Sequence, residues 1–217
     1  DLSIFEPQTL FRPMAGQIWR MAPIETQRGC PYKCTFCNSP ANNDVYKESD
    51  AGRFYRKRSM KHVYDELVTF RDRYKIEYIF FITDTFLAMS NVEFDEFIEM
   101  YSQIKLPFFM NTRPETLTLD RAKKLKAVNC HRVNIGVEHG NQRFRREVVG
   151  RQVSDEQMIS SFKYMNAAGI PVVAYRFARN LEAAVTAASD LSFPVVLKAE
   201  AAGLVHKSDV GAVVLDL

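Results

Sequence analysis

Short apolar runs alternate along this chain with segments whose apolar residues recur at helical spacing, and that alternation constrains the fold more than any other feature. "EYIFFIT" (77–83) is a continuous apolar run of strand length, and "LPFFMNT" (106–112) and "RVNIGVE" (132–138) read as strands downstream. "APIETQ" (22–27) reads as a shorter strand ahead of them. Between the runs, Val63, Leu67, Phe70 and Tyr74 fall on one helical face, and so do Phe94, Phe97, Ile98, Tyr101 and Ile104. "TLDRAKKLKAV" (118–128) predicts another helix. Ser154 with Gln157 forms a capping-box start for a last one ending near Gly169. Residues 1–21 mix Pro, Phe and polar residues without a period and read as a lead-in or linker.

Steady alternation of strand and helix predicts parallel βαβ units, an α/β fold, in preference to a sandwich or a bundle. Polar or charged residues recur just past the expected strand ends: Cys30, Asp84, Arg113 and Glu138. In a β/α barrel that rim carries the chemistry. An open doubly wound sheet would alternate in the same way.

Composition narrows the function classes. The net charge is only +3, so bulk electrostatics gives no warrant for a nucleic-acid partner. Two local basic runs stand out, "RFYRKRSMKH" (53–62) and "RFRREVVGR" (143–151), and the first reads as a solvated face. No apolar run approaches a membrane span, and the N-terminus lacks the pattern of a signal peptide. Four cysteines in 217 residues do not make a disulfide framework, which points to a reducing cytoplasm. The chain opens on Asp1 without an initiating Met, so an upstream segment is expected.

Three of the four cysteines, Cys30, Cys34 and Cys37, stand within "ETQRGCPYKCTFCNSP" (25–40), directly after the first expected strand. Thiolates are soft ligands suited to iron–sulfur clusters and zinc. Three ligands from one loop leave a fourth metal position open, whereas a structural zinc site is closed by a fourth Cys or His. Cys130 and His131 lie about a hundred residues away, and Cys130 reads as a free buried thiol. The inventory favours an open-sited [4Fe–4S] cluster, with zinc and redox thiols as the alternatives.

"CPYKCTFC" after a first strand resembles the signature of the radical S-adenosylmethionine (radical SAM) superfamily. The wider loop looks most like the subgroup that carries a cobalamin-binding domain in front. "FFITDTFL" (80–87), "MNTRPETL" (110–117) and "VNIGVEHGNQRFRREVVGR" (133–151) are similar to the family's second, third and fourth strand ends, so the resemblance runs over residues 17–170. It implies a (β/α) barrel, a [4Fe–4S] cluster on Cys30, Cys34 and Cys37, and SAM on the fourth iron. One electron from the cluster would break a C–S bond of SAM and release a 5′-deoxyadenosyl radical, or SAM would be turned over beside a methyl-cobalamin. An electron donor such as flavodoxin or ferredoxin would supply the cluster. Phe36 would then pack near the adenine, Glu138 would hydrogen-bond SAM, and Arg151 would pair its carboxylate. Asp84 and Arg113 stand at the matching SAM-binding positions. Each residue has a plainer use as well: Phe36 in the core, Asp84 capping a helix, the two arginines in surface ion pairs.

The pattern breaks after about four strand–helix units. From "AAGIP" (167–171) onward the chain resembles the N-terminal part of the ATP-grasp domain of ADP-forming acyl-CoA synthetases, over residues 168–217. "PVVLKA" places Lys198 at that family's phosphate-contacting position, and "GLVHKSDVGAVVLDL" brings His206 and Lys207 with the loop. Three segments are therefore expected: a lead-in (1–21), an incomplete radical SAM core (22–170) and an ATP-grasp-like piece (171–217). ATP binding is not expected, because the acidic magnesium ligands of that domain would lie further on. "NLEAAVTAASDL" and "FPVVLKA" offer a helix and a strand as replacement α/β units beside the fourth strand; without them its edge is left open. The leading reading is an iron–sulfur radical SAM enzyme acting on a substrate the sequence does not name. The alternatives are a chimeric fragment with a structural metal site and a nucleotide-binding synthetase-like fragment.

Overall fold

A computed structural model describes residues 7–173, 176–192, 194–199 and 210–215. The chain divides into two compact units, residues 1–172 and 173–217.

In the first unit, β1 (Phe11–Met14) and β2 (Gln17–Ile24) form an antiparallel hairpin, with Met14 opposite Gln17. The expected lead-in is thus structured from Phe11 onward. Gly16 (φ +75) and Ala15 (φ +55) turn the chain between the strands, the left-handed pair that a two-residue hairpin requires. β5 (Tyr78–Phe81), β6 (Phe108–Thr112) and β7 (Cys130–Ile135) then add to β2, all parallel. The sheet order is β1-β2-β5-β6-β7. The parallel strands stand in chain order with no reversal, and a doubly wound sheet needs a reversal. Successive barrel strands satisfy the order as found.

Helices cross between the strands: α1 (Ser39–Glu48) and α2 (Met60–Asp72) before β5, α3 (Asn91–Tyr101) before β6, α4 (Leu119–Ala127) before β7. α5 (Gln142–Glu147) and α6 (Asp155–Ala167) follow β7. Both the Ser90–Glu93 and Ser154–Gln157 capping boxes form, the second as the sequence predicts. A short pair, β3 (Gln27–Arg28) with β4 (Arg56–Lys57), brackets the cysteine loop and α1.

The core is aromatic. Phe81 of β5 meets Phe86, Phe97, Tyr101 and Phe108 at ring-centroid distances of 4.7, 5.7, 5.7 and 5.3 Å. Three of these pairs are edge-to-face and the Phe86 pair is tilted; such aromatic pairs add about 0.5–1.5 kcal/mol each beyond area burial. The packing ties β5 to α3 and β6, and so fixes the loops that leave those strands.

In the second unit, α7 (Leu181–Leu191) begins at Asn180, whose side chain accepts from the Ala183 N–H. β8 (Leu197–Lys198) pairs antiparallel with β9 (Val213–Val214) in a two-stranded sheet of its own. Among the described residues no strand pairs with the outer side of β7, which is an edge of the five-stranded sheet.

Candidate cluster and SAM site

Because β2, β5, β6 and β7 are parallel, the segments leaving them emerge at one end of the sheet. Those segments carry Cys30, Cys34 and Cys37 after β2, Asp84 and Thr85 after β5, Arg113 and Glu115 after β6, and Glu138 after β7. The sequence placed chemistry at these strand ends, and the fold gathers it there.

The cysteine loop is held from several sides. Gln27 Nε2 donates to the Thr85 carbonyl at 2.6 Å, and the Arg58 N–H donates to the Thr26 carbonyl at 2.9 Å. The Thr35 N–H donates to the Val149 carbonyl at 3.1 Å, and Thr35 Oγ1 to the Val148 carbonyl at 2.6 Å. Gly29 has φ +75, and a Cβ there would lie 2.7 Å from the Phe54 carbonyl oxygen, so the loop enters Cys30 on a backbone that only glycine takes without strain. Cys34 is buried, and Cys30 and Cys37 are half-buried. All three are free thiols.

The environments of the thiols differ. Cys34 Sγ accepts from Arg113 Nη1 at 3.1 Å. Cys37 Sγ accepts from the Ser39 N–H at 3.4 Å. Cys30 Sγ lies 3.7 Å from Thr85 Oγ1. Burial pushes the Cys30 thiol up, with Asp84 and Cys34 adding to it, while the Tyr32 backbone and Thr85 hydroxyl pull it back. Among the described residues no three Cys, His, Asp or Glu side chains gather as ligands of a single metal ion. A [4Fe–4S] cluster instead takes each thiolate on a separate iron. The donor set therefore fits the cluster: soft sulfur, with N–H groups already directed at two of the three atoms. Cys130 is buried at the start of β7, its thiol pushed far up by burial, and belongs to the core.

The plainer uses of the remaining residues do not match the structure. Phe36 is 59% exposed and so is not core. Asp84 is exposed in a turn, and the helix that follows is capped by Ser90. Arg113 and Arg151 are only 5% and 8% exposed, so neither is a surface partner. Arg113 stacks over the Tyr32 ring at 3.8 Å and pairs with Glu115 at 2.5 Å. Burial pulls its guanidinium down, but Glu115 and Cys34 carry it above its ordinary value. Arg151 Nη1 donates to the Gly136 carbonyl at 2.6 Å, and Nη2 pairs with Glu138 Oε1 at 2.9 Å. Its guanidinium also lies 5.7 Å from the Phe36 ring centre. A Cβ on Gly136 would come within 2.7 Å of Glu138 Oε1 and 3.0 Å of Arg151 Nη1, so this arrangement requires glycine. Glu138 itself takes φ +63, a conformation that costs a residue with a Cβ.

Sequence reasoning missed two buried arginines. Arg121 donates to the carbonyls of Leu87, Thr116 and Met89 and to Asn91, pinning the loop after β5 to the loop after β6. Arg145 donates to the carbonyls of His139 and Gly140 and pairs with Asp155, holding the segment that carries Glu138. Neither spacing nor charge marked them: Arg121 lies in a segment read only as a helix, and Arg145 in the 143–151 run, where the resemblance singled out Arg151 instead. The run at 53–62 does stay at the surface, where Lys57 pairs with Glu93 and Arg58 with Glu66. Beside the loop lies a cleft of ≈ 590 Å³, with Tyr32, Tyr55, Lys57, Glu115 and Arg121 in its walls.

The radical SAM superfamily model matches residues 24–177, from the end of β2 past α6. The chain belongs to the radical SAM superfamily. A second model, an ATP-grasp domain, matches residues 150–217 and overlaps the first. An uncharacterized methyltransferase of Pyrococcus horikoshii is 27% identical over 148 residues, covering 68% of this chain and 30% of that protein. The radical SAM methyltransferase TsrM of Kitasatospora setae, solved with tryptophan and a SAM analog, superposes with a TM-score of 0.56 at 19% identity, over 69% of this chain and 29% of that one. A trans-feruloyl-CoA synthase from an unknown prokaryotic organism is 53% identical over 49 residues, 23% of this chain and 7% of that protein. This radical SAM chain thus spans less than a third of the length of each of these relatives. Its sheet is part of a radical SAM barrel, and the family's cofactors are a [4Fe–4S] cluster and SAM. No helix among the described residues is long and apolar enough to cross a membrane.

Lys198 is exposed on β8, and His206 and Lys207 lie outside the described residues.

Proposed function

We propose that this chain carries the cluster- and SAM-binding part of a radical SAM enzyme that cleaves SAM reductively to begin radical chemistry. The observation that carries the reading is the convergence at one sheet end of three loop thiols, two of them already accepting N–H groups, with the Glu138–Arg151 pair. When bound, the cluster and SAM supply one electron and a sulfonium C–S bond for it to break. Cys30, Cys34 and Cys37 would hold three irons and leave the fourth to SAM. Phe36 offers an exposed ring face to the adenine. Glu138, fixed by Arg151, presents a carboxylate to SAM's ribose or amine. Arg151 is already committed to Glu138 and the Gly136 carbonyl, so it acts as a positioning residue and not as SAM's carboxylate partner. Asp84, exposed beside Cys30, remains available to SAM. An external one-electron donor such as flavodoxin or ferredoxin completes the requirement.

Methyl transfer is the reaction class we favour, with cobalamin as the second cofactor. Two relatives are named methyltransferases, and TsrM has also been solved with cobalamin and a [4Fe–4S] cluster. Anaerobic iron–sulfur reconstitution followed by EPR of the reduced protein tests the central reading. A [4Fe–4S]⁺ signal that changes on adding SAM is expected. Bound zinc without iron, or a cluster indifferent to SAM, would overturn it.

A further inference from the structure

Of the three candidate ligand thiols, Cys34 has a cationic neighbour that reaches it directly. Arg113 Nη1 points at Cys34 Sγ from 3.1 Å, inside the protein. The guanidinium cannot swing away. Tyr32 stacks on one face at 3.8 Å, and Glu115 Oε1 holds Nε at 2.5 Å. The second Glu115 oxygen is buried without a hydrogen-bond partner, so the carboxylate is spent on Arg113 alone. The order of the groups is therefore Glu115 carboxylate, Arg113 guanidinium, Cys34 sulfur, and Arg113 is too buried to serve as a docking group for a diffusing ligand.

We infer that Arg113 and Glu115 together set the reduction potential of the cluster through Cys34. The inference rests on the cluster reading above and deepens it. A thiolate bound to iron keeps lone pairs that accept hydrogen bonds, and N–H···S bonds with nearby charge are levers on cluster potential. Adding an electron makes the cluster more negative. A positive donor at Cys34 favours that state and raises the potential; the Glu115 carboxylate behind it opposes this. The pair gives an intermediate setting, with the hydrogen bond retained and its charge offset. Neither residue is assigned contact with SAM by this role; both are positioning and tuning residues.

The two halves of the pair make opposite predictions. Arg113→Gln removes the charge and leaves Glu115 uncompensated, so the potential falls. Glu115→Gln leaves the guanidinium unopposed, so the potential rises. Charge-assisted hydrogen bonds are the stronger kind, so changing the charge behind one moves the redox equilibrium measurably. A change of about tenfold in the reduced-to-oxidised ratio at fixed potential, ~59 mV for one electron, is therefore the shift to expect in each direction. The measurement is an EPR-monitored redox titration of the reconstituted wild type, Arg113→Gln, Arg113→Lys and Glu115→Gln, without SAM, with circular dichroism to confirm folding. Opposite shifts in the Gln variants, with Arg113→Lys between wild type and Arg113→Gln, support the inference. Unchanged potentials in clustered variants overturn it while leaving the cluster reading intact. A wild type that forms no cluster overturns both. Should Arg113→Gln fail to fold, Glu115→Gln decides alone: a rise supports the inference, and no shift or a fall overturns it.

Discussion

Arg151 and Glu138 meet at 2.9 Å across the turn that leaves β7, and the same guanidinium donates to the Gly136 carbonyl at 2.6 Å. One side chain thereby fixes both the backbone and the carboxylate of the turn, and Glu138 is held at φ +63 against its own preference. Glu138 is an exposed residue, so solvent screens the pair and truncating Arg151 costs about 1 kcal/mol through it. Arg151→Ala is therefore expected to lower the urea midpoint and weaken SAM binding together, because Glu138 relaxes. Glu138→Gln should hold its fold and lose SAM affinity alone. Equilibrium dialysis with labelled SAM, beside urea unfolding, separates the two; unchanged SAM affinity in both variants would remove Glu138 from the site.

The cysteines divide by environment. Cys34 faces a hydrogen-bond donor in the loop, while Cys130 sits in an apolar core with its thiol pushed far up by burial. Cys34→Ala should cut iron incorporation about tenfold or more, since a ligand is lost outright. Cys130→Ala should cost about 1 kcal/mol of stability and leave iron content unchanged. Iron analysis after reconstitution checks both, and equal loss from the two would break the ligand assignment.

Gly29 stands one residue before the first thiol. Alanine there must hold φ +75 and bring a Cβ within 2.7 Å of the Phe54 carbonyl oxygen. The strain is about 1–3 kcal/mol and is localised to the loop. Gly29→Ala should reduce cluster yield while far-UV circular dichroism stays close to wild type. A normal yield would show that the loop re-forms around the cluster without this conformation.

How much of this was legible in the sequence follows from which forces write a periodic signal. β5 is an apolar run because an inner parallel strand is covered on both faces, β6 and β7 alternate more and bury one side better than the other, and α2 and α3 show one buried stripe each. The chemistry at the strand ends was legible for the same reason: once the strands are found, Asp84, Arg113 and Glu138 fall just beyond them. β1 left no such trace, since three of its four residues are exposed and Pro13 interrupts it. Gly16 was the one local clue to its hairpin. Arg113, Arg121, Arg145 and Arg151 look like surface charges in one dimension. Their burial depends on carbonyls and carboxylates delivered by other segments, and only the assembled fold brings those within reach. The apolar run of β8 marks a strand but not its partner, and in the structure it pairs with β9.

Glu93 gives the fold a pH dependence whose sign can be worked out. Its carboxylate accepts from Lys57 Nζ and from the Ser90 N–H, closing the capping box of α3, and these interactions hold it at about 2 against an ordinary 4.5. A carboxyl depressed by folding contributes stability above its unfolded value and loses that contribution as pH falls through the folded one. The Glu93 contribution is thus fully present above pH 4.5 and fades between there and about pH 2. The Lys57 bond is the larger cause and the Ser90 N–H the second, and because the side chain is 39% exposed solvent screens the ion pair. Glu93→Gln should therefore cost on the order of 1 kcal/mol near pH 6, and the gap to wild type should narrow as pH drops toward 3. Urea unfolding across that range reads the gap directly. A gap that stays constant or widens toward low pH would mean that the carboxylate charge is not what stabilises the start of α3.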